Sequence, residues 1–471
     1  MIAALLLSAA LAAPASTESY DQALAAHAAR DPRRAAGLLY AWMQAATRTN
    51  PNYETAEHLL AADLQALSLT HAALVFEGDV IRDRARPELL PAALKNLEEW
   101  TRNTPHDEER VEAGLLQESE LDGLDSSAQG AEAFVAYTQG ALDLKSGEER
   151  WARARFNDLP DGSPFRYRAR ILTIAAELQK GKDVLADFQQ LAQEGKAPRE
   201  VRNEAHIAAG RLLFEKGDFA ASLAEYQAVD LPELDPGRGQ IYLEEAWAEY
   251  RLGHGSRAMG LLAALDAPSF RALFLPEKFL LRALIFKDAC QWLGAKRAAR
   301  ALLVHHAASL AAIRERKPLV DDPVLSEAAL QKGAARRAAE LVTRLKLERD
   351  RLDESAAAFA ESGLAARLGD LYAQELGEAE RRRALELQTG VIRAANELLG
   401  AAEQVGLADY EVGLALYRRG RGTSPAATLT FADDRAADGE VAFKFDGEYW
   451  NDELTQLRFA LVNRCVEGAA P

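Results

Sequence analysis

The feature that most constrains this chain is a set of small and turn-forming residues that recurs every 34 to 37 positions. In the stretch AHIAAGRLLFEKGDFAASLAEYQAV, Gly210, Gly217, Phe219, Ser222, Tyr226 and Val229 follow in order. Two helices joined by a tight turn account for each of them. Gly210 marks a close crossing of the pair, Gly217 ends the first helix, Phe219 packs at the turn, and Ser222 is the small residue at the crossing on the second helix. A shift of 36 residues forward places Ala246, Gly253, Ala258, Leu262 and Leu265 in these roles, and 36 back places Ile174, Gly181 and Ala186. A further 34 back come Gly140, Gly147 and Ala152, and 37 forward of the second set come Ala283, Cys290, Trp292, Ala295 and Leu302. A two-helix unit has apolar surface on both sides that only neighbouring units can cover, so consecutive units predict a stacked helical array. The abundance of Ala, Leu, Glu and Arg agrees with an all-α chain.

This period and its small-residue marks resemble the tetratricopeptide repeat over residues 134–305. The best unit departs from the family in lacking a Trp at its start and in carrying Pro232 early. The resemblance implies a solenoid of helical hairpins whose concave groove receives a peptide or helix of a partner protein. Upstream, residues 20–133 read as degenerate hairpin repeats, with Leu60, Leu67 and Ala72 as their best small or packing marks.

After His305 and His306 the pattern breaks at ERKPLVDDPVLSE. Residues 324–418 are predicted to form a long helical hairpin or coiled coil. Its first seam is Ala334, Ala338, Leu341, Leu345 and Leu352, interrupted by Glu348. Its second is Leu385, Ile392, Ala395 and Leu399, interrupted by Gln388. From residue 420 the composition changes to a linker followed by apolar alternation in VAFKF and LRFALVNRC. The alternation predicts a small C-terminal β-element over 420–471, with Val441, Phe443 and Phe445 on one strand face. The fold class expected is therefore all-α: a tetratricopeptide-like helical-hairpin solenoid, then a long helical hairpin, then a small C-terminal β-element.

The N-terminal run MIAALLLSAALAAPAS is too short to span a bilayer and ends in small residues that fit cleavage after Ala12, which predicts a signal peptide at 1–12 and a periplasmic protein without a transmembrane helix. It lacks the usual Lys or Arg before the apolar run, and the alternative is a cytoplasmic protein with a hydrophobic N-terminus. The net charge of -16 argues against nucleic acid as partner. Cys290 and Cys465 are the only cysteines; they admit one bridge in an oxidising compartment, or two unpaired small hydrophobes. The passage FDGEYWNDEL is similar to the tails of repeat proteins in envelope complexes of gliding soil bacteria of the myxobacterial type. That resemblance implies a periplasmic component of a motility or trafficking assembly.

Chemistry is not visible in the pattern. The eight histidines include no H-E-x-x-H arrangement, and the adjacent His305 and His306 point about 100° apart on a helix, which suits a surface pair at a helix end rather than a chelate. GHGSRAMG falls in the turn and second helix of a repeat, not after a strand, so it is not a phosphate loop. No catalytic residue, metal ligand or cofactor site is nominated, and the chain is expected not to be an enzyme. The expected partner-binding residues are Tyr226, Trp247, Tyr250 and Trp292, with Tyr449 and Trp450 in the tail. The competing role for the first four is to hold adjacent hairpins together. The function expected is a non-catalytic scaffold that assembles proteins of an envelope complex, gliding-motility machinery included. The alternatives are a repeat adaptor for a peptidoglycan- or polysaccharide-processing or export enzyme, and a cytosolic regulatory repeat protein.

Overall fold

The computed structural model describes residues 17–101, 130–420, 447–449 and 451–465. The expected signal peptide, the VAFKF strand and Trp450 lie outside them. The described residues are helical, with no strand among them. Two compact units divide the chain: Met1–Ala169 with Arg337–Ala384, and Arg170–Arg336 with Leu385–Pro471.

In the first unit the helices are α1 (Thr17–Ala28), α2 (Pro32–Ala45), α3 (Tyr53–Ala66), α4 (Thr70–Asp83), α5 (Leu90–Thr101), α6 (Glu132–Lys145) and α7 (Glu149–Asn157). Successive helices from α1 to α5 pack in turn, as do α6 and α7. The helix α8 (Pro164–Gln179) begins in this unit and ends in the second, which continues with α9 (Leu185–Ala192), α10 (Arg199–Lys216), α11 (Phe219–Gln227), α12 (Pro236–Arg251), α13 (Gly255–Ala264), α14 (Glu277–Asp288), α15 (Trp292–His305), α16 (Ala307–Arg314) and α17 (Pro323–Leu330). Here too adjacent helices pack pairwise, in the manner of a helical solenoid.

One local device closes these pairs. Arg30, Ser68, Gly147, Gly181, Gly217, Gly253 and Cys290 all take left-handed backbone conformations at the end of a first helix. After each, the next amide donates back to a carbonyl five residues earlier, as in Asp218 N–H to Leu213 O (3.0 Å), His254 N–H to Glu249 O (2.9 Å) and Leu69 N–H to Leu64 O (3.0 Å). This is the Schellman closure, which satisfies the last free carbonyls of the helix. At the crossing, Gly210 has no room for a side chain, because a Cβ would stand 2.5 Å from the Tyr226 ring, and Ser222 Oγ donates to Gly210 O at 2.8 Å.

Two long helices complete the architecture: α18 (Gly333–Phe359) and, after a short loop, α19 (Leu364–Gly420). In the first unit, Leu345, Leu352 and Phe359 pack with Leu364, Leu368 and Tyr372 into the core that also holds Leu39, Trp42, Leu60 and Leu64. Glu348, which interrupts the apolar seam, is buried and fully used: its carboxylate accepts from Tyr372 Oη (2.7 Å), the His71 amide (2.8 Å) and Arg344 Nε (3.2 Å). In the second unit the expected seam of α19 is corrected. Ala395 is buried, but Leu385 is 63% and Ile392 55% exposed. The buried row is Val391, Ala394, Leu398, Ala401, Val405, Ala408, Val412 and Ala415, at alternating steps of three and four. Its small residues allow close approach to α14, α15 and α17, where Leu280, Leu302 and Leu325 receive it.

The C-terminal β-element is also corrected. A short 3-10 helix, Asn451–Gln456, leads into an extended stretch that has no strand partner among the described residues. The alternation is real, since Leu461 and Asn463 face inward while Val462 and Arg464 face out. Its backbone, however, pairs with helices: Phe459 N–H donates to Ser256 O (3.1 Å), Ser256 Oγ donates to Phe459 O, Arg464 N–H donates to Ala289 O (3.0 Å), and Gln291 Nε2 donates to Val462 O (2.9 Å). Leu454 and Leu461 enter the core of α12 to α14, Phe459 meets the Phe286 ring edge to face, and a Cys290–Cys465 disulfide ties the end down. An extended chain needs its backbone groups satisfied, and carbonyls and side chains near helix ends serve as well as a strand.

Candidate partner-binding groove

Within the second unit a groove of about 710 Å³ opens on the side of the hairpins. Ile171, Ala175 and Leu178, spaced four and three apart on α8, give one apolar wall, and Phe188 of α9 adds to it. On α10, Glu204, Ile207, Ala208 and Arg211 face the opening, the stripe opposite to the buried Ala205, Ala209 and Leu213. Leu231 and Pro232 form the far wall.

That wall is held before any partner arrives. Asn203 clasps Asp230 in both directions, donating Nδ2 to its carbonyl (2.7 Å) and accepting from its amide at Oδ1 (2.9 Å). The Arg238 guanidinium donates to the Leu231 carbonyl, and Asp235 caps Gly237 N–H at 2.8 Å. Charge is unevenly satisfied in the groove. Arg211 is engaged by both oxygens of Glu244, with the shortest contact 2.6 Å. Glu204 has no ion-pair partner among the described residues; its surface is open to solvent, yet the protein mass around it desolvates the carboxyl and holds its pKa above the ordinary value. Arg199, Glu200 and Asp235 line the groove as well; Glu200 lies 3.9 Å from Arg199 and Asp235 accepts from Gly237 N–H, which leaves Glu204 as the lining carboxylate without a partner among the described residues. A trough with an apolar wall and that carboxylate can hold an apolar segment and one cation.

Trp450 lies outside the described residues, and none of the other five residues expected from sequence lines this groove. Tyr226, 3% exposed, lies under Gly210 inside its own hairpin, and burial pushes its hydroxyl pKa up. Tyr250 is buried between hairpins and donates its hydroxyl to Asp288 at 2.7 Å, where burial raises the carboxyl's pKa. Trp247 meets the Tyr250 ring at 5.9 Å and donates Nε1 to Glu277 at 3.2 Å. Trp292 is half-buried at the start of α15, and Tyr449 is half-buried against the α12 to α14 core, where desolvation raises its pKa. The structure thus brings Trp247 and Tyr250 together and leaves Tyr226 apart from them. The groove residues carried a readable signal: a second stripe at steps of three and four on α8 and α10, beside the one that fills the core.

The expectation of a surface histidine pair is corrected as well. His305 is exposed, but His306 is buried, because the chain turns there directly from α15 into α16 and folds the ring against Phe274 (5.6 Å) and Phe279 (6.2 Å). Among the described residues, no group of three or more His, Cys, Asp or Glu is placed to hold a metal ion, and no helix is long and apolar enough to cross a membrane. Compared with protein-family models and with curated proteins, the chain matches none.

Proposed function

We propose that this chain is a non-catalytic, protein-binding repeat protein of the tetratricopeptide type, whose groove between α8, α10 and the 231–232 wall seats an apolar segment of a partner that places a Lys or Arg against Glu204. The unpartnered Glu204 beside the apolar wall of a pre-braced trough carries this reading, because a carboxylate without a partner favours a cation delivered with the ligand. The array's capacity to hold an extended segment is supported in cis, where residues 457–465 are seated by backbone hydrogen bonds. Placement on the periplasmic side of a bacterial envelope rests on the N-terminal run and is supported by the Cys290–Cys465 disulfide, since such bonds persist in oxidising compartments. Membership of an envelope assembly of the gliding-motility kind rests on the likeness of the FDGEYWNDEL passage.

Selection of displayed random peptides on the purified protein tests the groove. Enriched sequences should be apolar with a Lys or Arg, Glu204→Gln should lose the basic preference, and Ile207→Asp should lose binding. Failure to enrich any sequence, or the same sequences from Ile207→Asp, would remove the groove from the account. For export, N-terminal sequencing of the mature chain should begin near Ala13.

A further inference from the structure

A second recess in this unit, of about 200 Å³, lies between the 271–275 loop, the start of α14 and the α15–α16 corner. It shares no residue with the groove. Lys278 lines it and is only 8% exposed. An ammonium carries three donors, and among the described residues only Asp266 accepts one, at 3.2 Å. Asp266 is itself shared with Arg282 at 2.6 Å, so the pair leaves net positive charge beside the recess. Burial lowers the Lys278 pKa even with Asp266 beside it. A buried cation with donors to spare is an energetic deficit that an anionic ligand would repair.

The surroundings define what kind of anion fits. Phe274 and Phe279 line the recess, with the Lys278 nitrogen 5.4 Å from the Phe279 ring centre. Arg271 and His305 are exposed at its edge, and Glu327 is the one carboxylate among its lining residues. His306 is 4% exposed; desolvation, then the neighbouring His305 and Lys278, push its pKa down to about 4 against the pull of Asp322. It is therefore neutral at neutral pH and contributes a polar edge without charge. The loop is already fixed: Phe274 N–H donates to Gln331 Oε1 and Gln331 Nε2 donates to the Ala272 carbonyl, both at 2.8 Å.

We propose that this recess binds a small carboxylate carrying an apolar or aromatic group, with the carboxylate on Lys278 and Arg271 and the apolar group against Phe274 and Phe279. Two sources supply that chemistry, a free organic acid and the C-terminal end of a peptide. Calorimetric titration of the full-length protein with N-acetylphenylalanine, and with a tetrapeptide ending in Phe, compares each free acid with its amide. Saturable binding of either acid, at least about tenfold tighter than its amide, is expected from loss of a charge-assisted hydrogen bond. Binding of the acid alone identifies a closed site for small molecules, and binding of both identifies a chain-end site. Lys278→Met should weaken binding by a similar factor; Arg271→Ala, at an exposed position that folding does not depend on, should weaken it several-fold and covers the case in which Lys278→Met does not fold. Absence of saturable binding, equal binding of acid and amide, or unchanged binding by Arg271→Ala or by a folded Lys278→Met would overturn the proposal.

Discussion

Replacing Gly260 with Ala isolates the seating of the tail on the helices. Alanine in a helix interior ordinarily stabilises by up to about 1 kcal/mol relative to glycine. Gly260 of α13 is different, because a Cβ there would overlap the Leu457 carbonyl oxygen and stand 2.9 Å from the Arg458 nitrogen. Backbone cannot rotate out of the way as a side chain can, so the tail must lift. Lifting breaks the paired hydrogen bonds between Phe459 and Ser256, each about 1 kcal/mol, and withdraws part of Leu461, whose full burial is worth about 2 kcal/mol. After the alanine gain is subtracted, a net loss of about 2 kcal/mol is expected. Gly406→Ala is the matched control: that helical glycine is exposed, with nothing within 4 Å of its would-be Cβ, so the same substitution should stabilise. Denaturant unfolding of both variants with the disulfide intact should therefore show shifts of opposite sign. If both alanines stabilise alike, the tail does not cross α13 and the account of residues 457–465 is wrong.

Other consequences are independent of the tail's crossing. Cys290→Ser opens a link spanning 175 residues and should cost about 2–4 kcal/mol, read as a lower unfolding midpoint; rapid alkylation of both thiols in the folded, unreduced wild type would contradict the bridge. Gly210→Val should destabilise by about 1–3 kcal/mol through overlap with the Tyr226 ring, and an unchanged midpoint would deny the close crossing. Glu57 in the first unit is buried, and desolvation with the nearby Asp79 raises its pKa to about 8, so the folded state holds its proton more tightly than the unfolded chain. Stability of that unit should then fall as pH rises from about 4.5 to 8, and Glu57→Gln should flatten the fall by on the order of 2 kcal/mol in pH-dependent unfolding; an unaltered slope would count against it.

What was legible in the sequence followed from residues with only one physical use. Gly147, Gly181, Gly217 and Gly253 mark left-handed turns that glycine adopts without strain, so the period was readable there. Arg30 and Ser68 close hairpins in the same way at a cost of about 1 kcal/mol each, and so carry no visible mark, which is why the upstream repeats looked degenerate. Size misled in α19: Leu385 and Ile392 outweigh the Ala and Val row that is actually buried, because close helix packing selects small residues. Glu348 read as an interruption, although its burial is supported by three donors that only the tertiary structure brings near. In the tail, period-two burial was present, but sequence does not reveal whether a sheet or a row of helix ends satisfies an extended backbone. The aromatics expected as anchors lie mainly in hairpin interiors, where large rings fill volume, while the apolar wall of the groove is built from Ile, Ala and Leu that no single residue type distinguishes.

The most direct test of the central claim is a photocrosslink in intact cells from a benzoylphenylalanine placed at Ala208 in the groove, against one placed at Leu293, which is exposed and outside it. The account predicts a discrete adduct from Ala208 alone, whose crosslinked peptide is apolar with a Lys or Arg, and which Glu204→Lys abolishes. The same adducts from both positions, or none from Ala208, would contradict it.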